Sequence, residues 1–200
     1  MSNYKFLDVG CKIGKSFAVA KEFGYSDKQG FGIDINQKHI NTFNASGYAG
    51  IVASATSIPF PDGSFELVIF NHVLEHMKGA ENGKLALSEC LRVASRVLYV
   101  GLPFFDEDAY LNSLGLKTFY SDWHGHPNKV HLKTLTTEWL AGYKCEVNMM
   151  KKLTNSMFPE ILPIGAPPDS GDYNPELHGP KPNIEFDRDI WREYTVTVYK

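Results

Sequence analysis

The chain is poor in the features that mark secreted, membrane-embedded or nucleic-acid-binding proteins. Its 200 residues include three cysteines, Cys11, Cys90 and Cys145, an odd and scattered set. That excludes a disulfide framework and reads as reduced thiols in a cytoplasmic protein. No apolar run is long enough to cross a bilayer, and the N-terminus lacks the charged-then-apolar pattern of a signal peptide. Neither sign of charge is in excess: 20 Lys and Arg face 23 Asp and Glu, a net charge of −3. A basic footprint for nucleic acid is therefore missing. No internal repeat and no low-complexity tract is present. Asn44-Ala45-Ser46 has the form of a glycosylation sequon, but it falls in a predicted helix of a chain expected inside the cell. The length suits one domain, residues 1–200, with a sizeable core.

What is present begins at Phe6-Leu7-Asp8-Val9-Gly10-Cys11-Lys12-Ile13-Gly14-Lys15-Ser16. An apolar run ends in an acid, turns through two glycines and opens into a helix-like segment. Gly10 and Gly14 let a ligand approach the main chain, and a helix starting near Lys15 aims its N–H groups at that ligand. Three cradles compete. A P-loop requires G-x-x-x-x-G-K-[ST]; here Gly14-Lys15-Ser16 fits, but the spacing from Gly10 is one residue short and the strand Leu67–Phe70 ends in Asn71 rather than an Asp. A dinucleotide loop requires G-x-G-x-x-G, and Lys12 stands at its middle glycine. The third is a loop for S-adenosylmethionine (SAM).

The strand Phe31-Gly32-Ile33-Asp34-Ile35 ends in a carboxylate about 20 residues beyond Gly14, the spacing at which such a group meets ribose hydroxyls. Further on comes Ile58-Pro59-Phe60-Pro61-Asp62-Gly63-Ser64-Phe65-Glu66-Leu67-Val68-Ile69-Phe70-Asn71-His72-Val73-Leu74-Glu75-His76, a Pro-Asp-Gly turn followed by a buried strand. With the glycine loop and Asp34, this segment closely resembles class I SAM-dependent methyltransferases, in particular the broad group with D-V-G-C-G-x-G, L-P-F-P-D-G-S-F-D-x-V and L-E-H motifs. Arg96 to Leu102 resembles that family's fifth strand, and His131 to Leu140 its H-x-x-x-[FL]-[ST]-x-E-x-L segment. The likeness covers most of residues 4 to 152 and again the last strand. It departs at Lys12, where the family has glycine, and at Ser54, where an Asp often meets the adenine amino group.

The resemblance implies an α/β, Rossmann-like doubly wound sheet, mostly parallel, with an antiparallel edge strand near the C-terminus. Strands are expected near Lys5–Val9, Phe31–Ile35, Gly50–Ala53, Leu67–Phe70, Val97–Leu102, Tyr143–Leu153 and Tyr194–Tyr199. Helices are expected near Ser16–Phe23, Gln37–Ser46 and Glu81–Val93. The cofactor implied is SAM, held by Asp8, Gly10, Cys11, Gly14, Asp34, Ile35, Ser54, Ala55 and Asn71. Cys11 reads as a packed residue rather than a nucleophile. Lys12 is expected to turn its side chain away, because a cation aimed at a sulfonium repels it.

Two insertions stand outside the bare fold, at about 103–130 and 154–189. The first is rich in aromatics, including Phe104, Phe105, Tyr110, Phe119, Tyr120 and Trp123. The second carries Pro159, Pro163, Pro167, Pro168, Pro175, Pro180 and Pro182, so little regular structure is expected in it, and a substrate-side cover or a subunit contact is the role assigned to it. His124, His126 and His131, with Asp122, are metal-ligand types without metal-site spacing, so no metal is expected. His72 and His131, with His124 and His126 behind them, are candidates for a general base or an acceptor-orienting group; His76 is expected to anchor a helix start. The function expected is SAM-dependent methyl transfer to an oxygen or nitrogen of a small-molecule or sugar acceptor, in a pocket walled by Pro103–His131. A SAM-binding protein without transfer activity and a nucleotide-binding NTPase are the alternatives. No nucleic-acid or membrane partner is expected, and the oligomeric state is not written in the sequence.

Overall fold

A computed structural model describes residues 4–200. Seven strands form one sheet: β1 (Phe6–Val9), β2 (Gly30–Asp34), β3 (Gly50–Val52), β4 (Phe65–Asn71), β5 (Ala94–Pro103), β7 (Lys144–Asn155) and β9 (Glu185–Tyr199). Their order is β3-β2-β1-β4-β5-β9-β7. The first five run parallel, and β9 runs antiparallel to both β5 and β7. Helices α1 (Phe17–Glu22), α2 (Gln37–Ala45) and α3 (Ala80–Val93) connect the parallel strands.

The sequence of β1 is apolar at three of its four positions and every residue is buried, as expected for a strand covered on both faces. Alternate residues serve opposite faces. Leu7, Val9, Val68 and Phe70 pack with Leu87 and Cys90 of α3. Phe6, Leu67 and Ile69 pack with Phe17 of α1 and Phe43 of α2. The turn before β4 is clasped by Arg92, whose guanidinium donates to the carbonyls of Ile58 and Phe60 and to Asp62 and Glu89. The chain leaves β1 toward β2 on one side and later returns to β4 on the other. The crevice outside the carboxyl ends of β1 and β4 is therefore the switch point where open α/β sheets bind ligands.

The two insertions are more ordered than their composition suggests. The first holds α4 (Asp108–Ser113) and β6 (Leu116–Thr118); the second holds β8 (Ile161–Pro163) and α6 (Pro175–His178). β6 and β8 pair antiparallel as a separate small sheet. Beneath them Leu111, Leu116, Leu153, Ile161 and Ile190 make a third buried cluster. Lys117 is buried between Asp122 and the carbonyl of Ala166, which joins one insertion to the other. The proline-rich stretch thus carries a strand and a helical turn. β9 starts at Glu185 rather than near Tyr194, because Leu153 and Asn155 of β7 extend the ladder to Ile190 and Glu185. Between the first insertion and β7, α5 (Leu132–Thr134) widens into a π-helical turn over Leu135–Trp139. Among the described residues, no helix is long and apolar enough to cross a membrane.

Candidate functional site

A cavity of about 580 Å³ opens at the carboxyl ends of β1, β2 and β4. That volume is in the range of small-molecule sites. Its wall includes Gly10, Cys11, Asp34, Ile35, Ser54, Ala55 and Asn71 from the expected set. Asp8 and Gly14 are not on it. Lys12, Lys15, His39, His72, Val73, His76 and Met77 also line it.

Local physics builds this wall. The loop after β1 is tied to β2 because the N–H groups of Gly10 and Cys11 both donate to the Ile33 carbonyl. Gly10 has φ +77°, and a Cβ there would stand 2.5 Å from Val73 Cγ2. Its glycine thus answers backbone conformation and the approach of Val73, rather than only the approach of a ligand. Gly14 has φ +85° and faces Tyr48 and Phe43 in the same way. The first helix is not an open donor end, since Phe17, Ala18 and Val19 donate their N–H groups to the carbonyls of Gly14, Lys15 and Ser16.

Asp34 is the hub of the mouth. Its Oδ1 accepts from the Asn36 N–H at 2.8 Å, and its Oδ2 from the Lys12 N–H at 3.1 Å. His39 Nδ1 lies 3.1 Å from the same Oδ2. Lys12 itself has φ +46° and an exposed side chain. Asp8 is fully buried below the loop, and neither carboxyl oxygen has a hydrogen-bond partner among the described residues. Burial, and then the charge of Asp34, push its pKa up to about 8. Burial likewise raises the Cys11 thiol far above its ordinary range, helped by Asp8 and Asp34, which disfavours the reactive thiolate. Ser54 folds onto its own loop, its Oγ 2.8 Å from Thr56 Oγ1.

At the tip of β4 the chain bends sharply, with His72 at φ +52°. A Cβ on Gly101 would fall 1.9 Å from Asn71 Oδ1, so glycine in β5 is what lets Asn71 lie over its neighbour. The His72 ring bridges two acids, with Nδ1 3.2 Å from Glu75 Oε1 and Nε2 3.0 Å from Glu193 Oε2. Burial opposes a charge on this ring, but the hydrogen bonds and charges of Glu193 and Glu75 outweigh it and raise the pKa to about 9. Both ring nitrogens face carboxylates, and the raised pKa favours the imidazolium at neutral pH, a form with no lone pair free to take a proton. Glu193 sits on the last strand, remote in sequence from His72, and no local pattern marks it.

A second cavity of about 450 Å³ lies beyond this bend and shares Asn71 and His72 with the first. Glu22, Tyr99, Asn148, Glu193, Thr195 and Thr197 are on its wall. No residue of Pro103–His131 lines either cavity. That segment is sequestered instead by its own contacts. His124 is exposed and pairs with Asp169 at 2.6 Å. His131 starts α5 and lies 4.0 Å from Asp106. His126 is buried beside Trp123 and His76, its Nδ1 3.1 Å from the Tyr120 carbonyl, and burial lowers its pKa from the ordinary value. Of the four histidines considered for chemistry, only His72 reaches a cavity. His76, expected as a helix anchor, reaches the larger one.

Residues 7–97 match a family model described as a methyltransferase domain. Ajmaline N-methyltransferase of Rauvolfia serpentina is 35% identical over 100 residues, covering 44% of this chain and 32% of that enzyme. The chain spans no more than about half the length of the curated relatives it matches, 32% of one and 48% of another. Among solved structures, a SAM-dependent methyltransferase from Archaeoglobus fulgidus superposes with a TM-score of 0.66 at 20% identity, over 98% of this chain and 86% of that one. Magnesium protoporphyrin IX methyltransferase from Synechocystis, solved with S-adenosylhomocysteine (SAH) bound, gives 0.59 at 13% identity, over 98% and 74%.

Proposed function

We propose that this chain is a class I SAM-dependent methyltransferase that moves the methyl group of SAM to a nitrogen or oxygen of a small-molecule acceptor, a reading supported by the domain match over residues 7–97 and by the fold. The observation that carries this reading is the meeting of two cavities at Asn71 and His72, at the tip of β4. One cavity suits the cofactor and the other an acceptor.

The residues on the larger wall fit SAM. Asp34 has its carboxyl oriented by three neighbours at the mouth, where ribose hydroxyls would meet it. Ser54 and Ala55 would flank the adenine, Gly10 and Cys11 would give a bare backbone edge, and Asn71 would face the methionine end. Asp8, buried beneath the loop and off the cavity wall, would not touch the ligand. When bound, SAM supplies an electrophilic methyl group on a positive sulfur. The protein's own part is then alignment and exclusion of water.

The second cavity favours nitrogen. It carries Glu22 and Glu193 against the single cation of His72, with hydroxyls from Tyr99, Thr195 and Thr197, and no Lys or Arg. Such a wall attracts an amine and repels an anion. The likeness to an N-methyltransferase agrees with that choice. His72, held between Glu75 and Glu193, fixes the Glu193 carboxylate toward this cavity, where it can orient an amine N–H.

The test has two arms. Calorimetry with SAH should show that Asp34→Ala weakens binding by about 1–3 kcal/mol, the scale for loss of a charged hydrogen-bond partner; unchanged affinity would remove Asp34 from the site. Methyl-labelled SAM should then be incubated with separate pools of amines, alcohols and carboxylates. Label in the amine pool is expected. Tight SAH binding with no transfer to any pool would make the protein a SAM binder without transfer activity.

A further inference from the structure

We propose that Glu75, His76 and His126 form a binding site for a divalent transition metal of the zinc type, beside the larger cavity, whose wall His76 shares. One ligand atom from each of the three lies within 4.8 Å of the others. Two imidazoles and one carboxylate are the donor set of many such sites, and they leave coordination positions open.

Three independent features point to a ligand rather than to packing. First, Glu75 is 1% exposed, yet its Oε2 has no hydrogen-bond partner among the described residues. A buried carboxylate oxygen left alone is costly, and a cation is the natural remedy. Second, the tautomers are arranged for it. His76 Nδ1 donates to the Gly125 carbonyl at 2.6 Å, and His126 Nδ1 donates to the Tyr120 carbonyl at 3.1 Å. Each ring therefore keeps the Nε2 lone pair for another partner. Metal-bound histidines are oriented in this way, with the outer nitrogen on a carbonyl or carboxylate. Third, the rings are held in place, with His76 and His126 4.9 Å apart and Trp123 packed edge-on against both. A ligand-to-metal distance of about 2.0–2.2 Å needs the three donors to close together by small ring rotations, and the exposed His76 ring has room for that.

The location gives the site a purpose beyond that of the cofactor pocket. Glu75 and His76 follow β4, whereas His126 comes from the first insertion. A metal there would tie the insertion to the sheet edge. Because His76 also lines the larger cavity, the open positions would face that space and could take an oxygen or nitrogen donor from a small molecule.

The experiment uses the full chain with no SAM present, so its failure is separate from that of the methyl-transfer reading. Protein stripped by chelator and dialysed is titrated with Zn²⁺ in a calorimeter. A parallel titration with Co²⁺ is followed by visible absorption, which reports low coordination number. A single saturable equivalent and the Co²⁺ bands are expected. His76→Gln, at an exposed position, should fold normally by circular dichroism and lose at least about tenfold in affinity. Glu75→Gln should lose at least as much, and His124→Gln, whose exposed imidazole pairs with Asp169 and is not among the three donors, should lose nothing. Absence of a saturable equivalent overturns the site, as does binding that survives His76→Gln or that disappears with His124→Gln.

Discussion

Lys12 is a lysine in a conformation made for glycine. Its φ of +46° costs an L-residue about 1–2 kcal/mol, and its N–H is what Asp34 uses. The side chain is exposed, although Lys12 also stands on the wall of the larger cavity. Lys12→Gly should leave SAH affinity unchanged or higher in calorimetry; a large loss would mean that the ammonium group touches the ligand. Asp8 allows a prediction about pH. Its folded pKa, about 8, lies above the ordinary value near 3.9. The neutral form is therefore the one the fold accepts, and the stability tied to it is full below pH 4 and lost as pH rises through 8. Melting temperature should fall between pH 4 and 8, and Asp8→Asn should flatten that fall. An identical slope in both proteins would refute the assignment. Since 1 kcal/mol moves the melting point of a chain this size by about 2–4 °C, the effect is measurable. At this scale the loop and Asp34 were legible because fixed local spacing places them. The His72–Glu193 pair was not, since a contact between distant strands leaves no local pattern.

At the scale of elements, the parallel half of the sheet was legible to within three residues, because buried strands read as apolar runs bounded by glycine turns. The insertions were not. β6 and β8 have only three residues each, too few to show alternation, and the prolines around β8 masked it. The start of β9 was hidden by Glu185, Asp187, Arg188 and Asp189, which are exposed or half-buried positions on a strand that keeps Ile190 inside. The consequence for stability is specific. Leu116 and Ile161, from different insertions, share one small cluster. Leu116→Ala and Ile161→Ala should each cost about 2–5 kcal/mol in urea unfolding. The double variant should depart from their sum by about 0.5–3 kcal/mol. Simple additivity would mean that the insertions do not pack as one unit. SAH affinity should hold in all three, since neither residue lines the larger cavity.

Taken whole, the molecule sets its larger cavity across three strand ends and the loop that follows β3, so a ligand filling it bridges parts of the chain that are far apart in sequence. SAH at a hundredfold excess over its dissociation constant should stabilise the fold by about 2.7 kcal/mol. That corresponds to a rise of roughly 5–11 °C in melting temperature. ATP and NAD at the same concentration should give no comparable rise; a larger shift with ATP would revive the nucleotide reading of Gly14-Lys15-Ser16. The strand order has a further consequence, for synthesis. β9 lies between β5 and β7, yet residues 185–199 are translated after both. A nascent chain stalled at residue 184 would leave the ribosome with the β5 edge unpaired and β7 with no neighbour to join. Chaperone occupancy along the message should therefore persist until the last strand has cleared the exit tunnel, and drop only then.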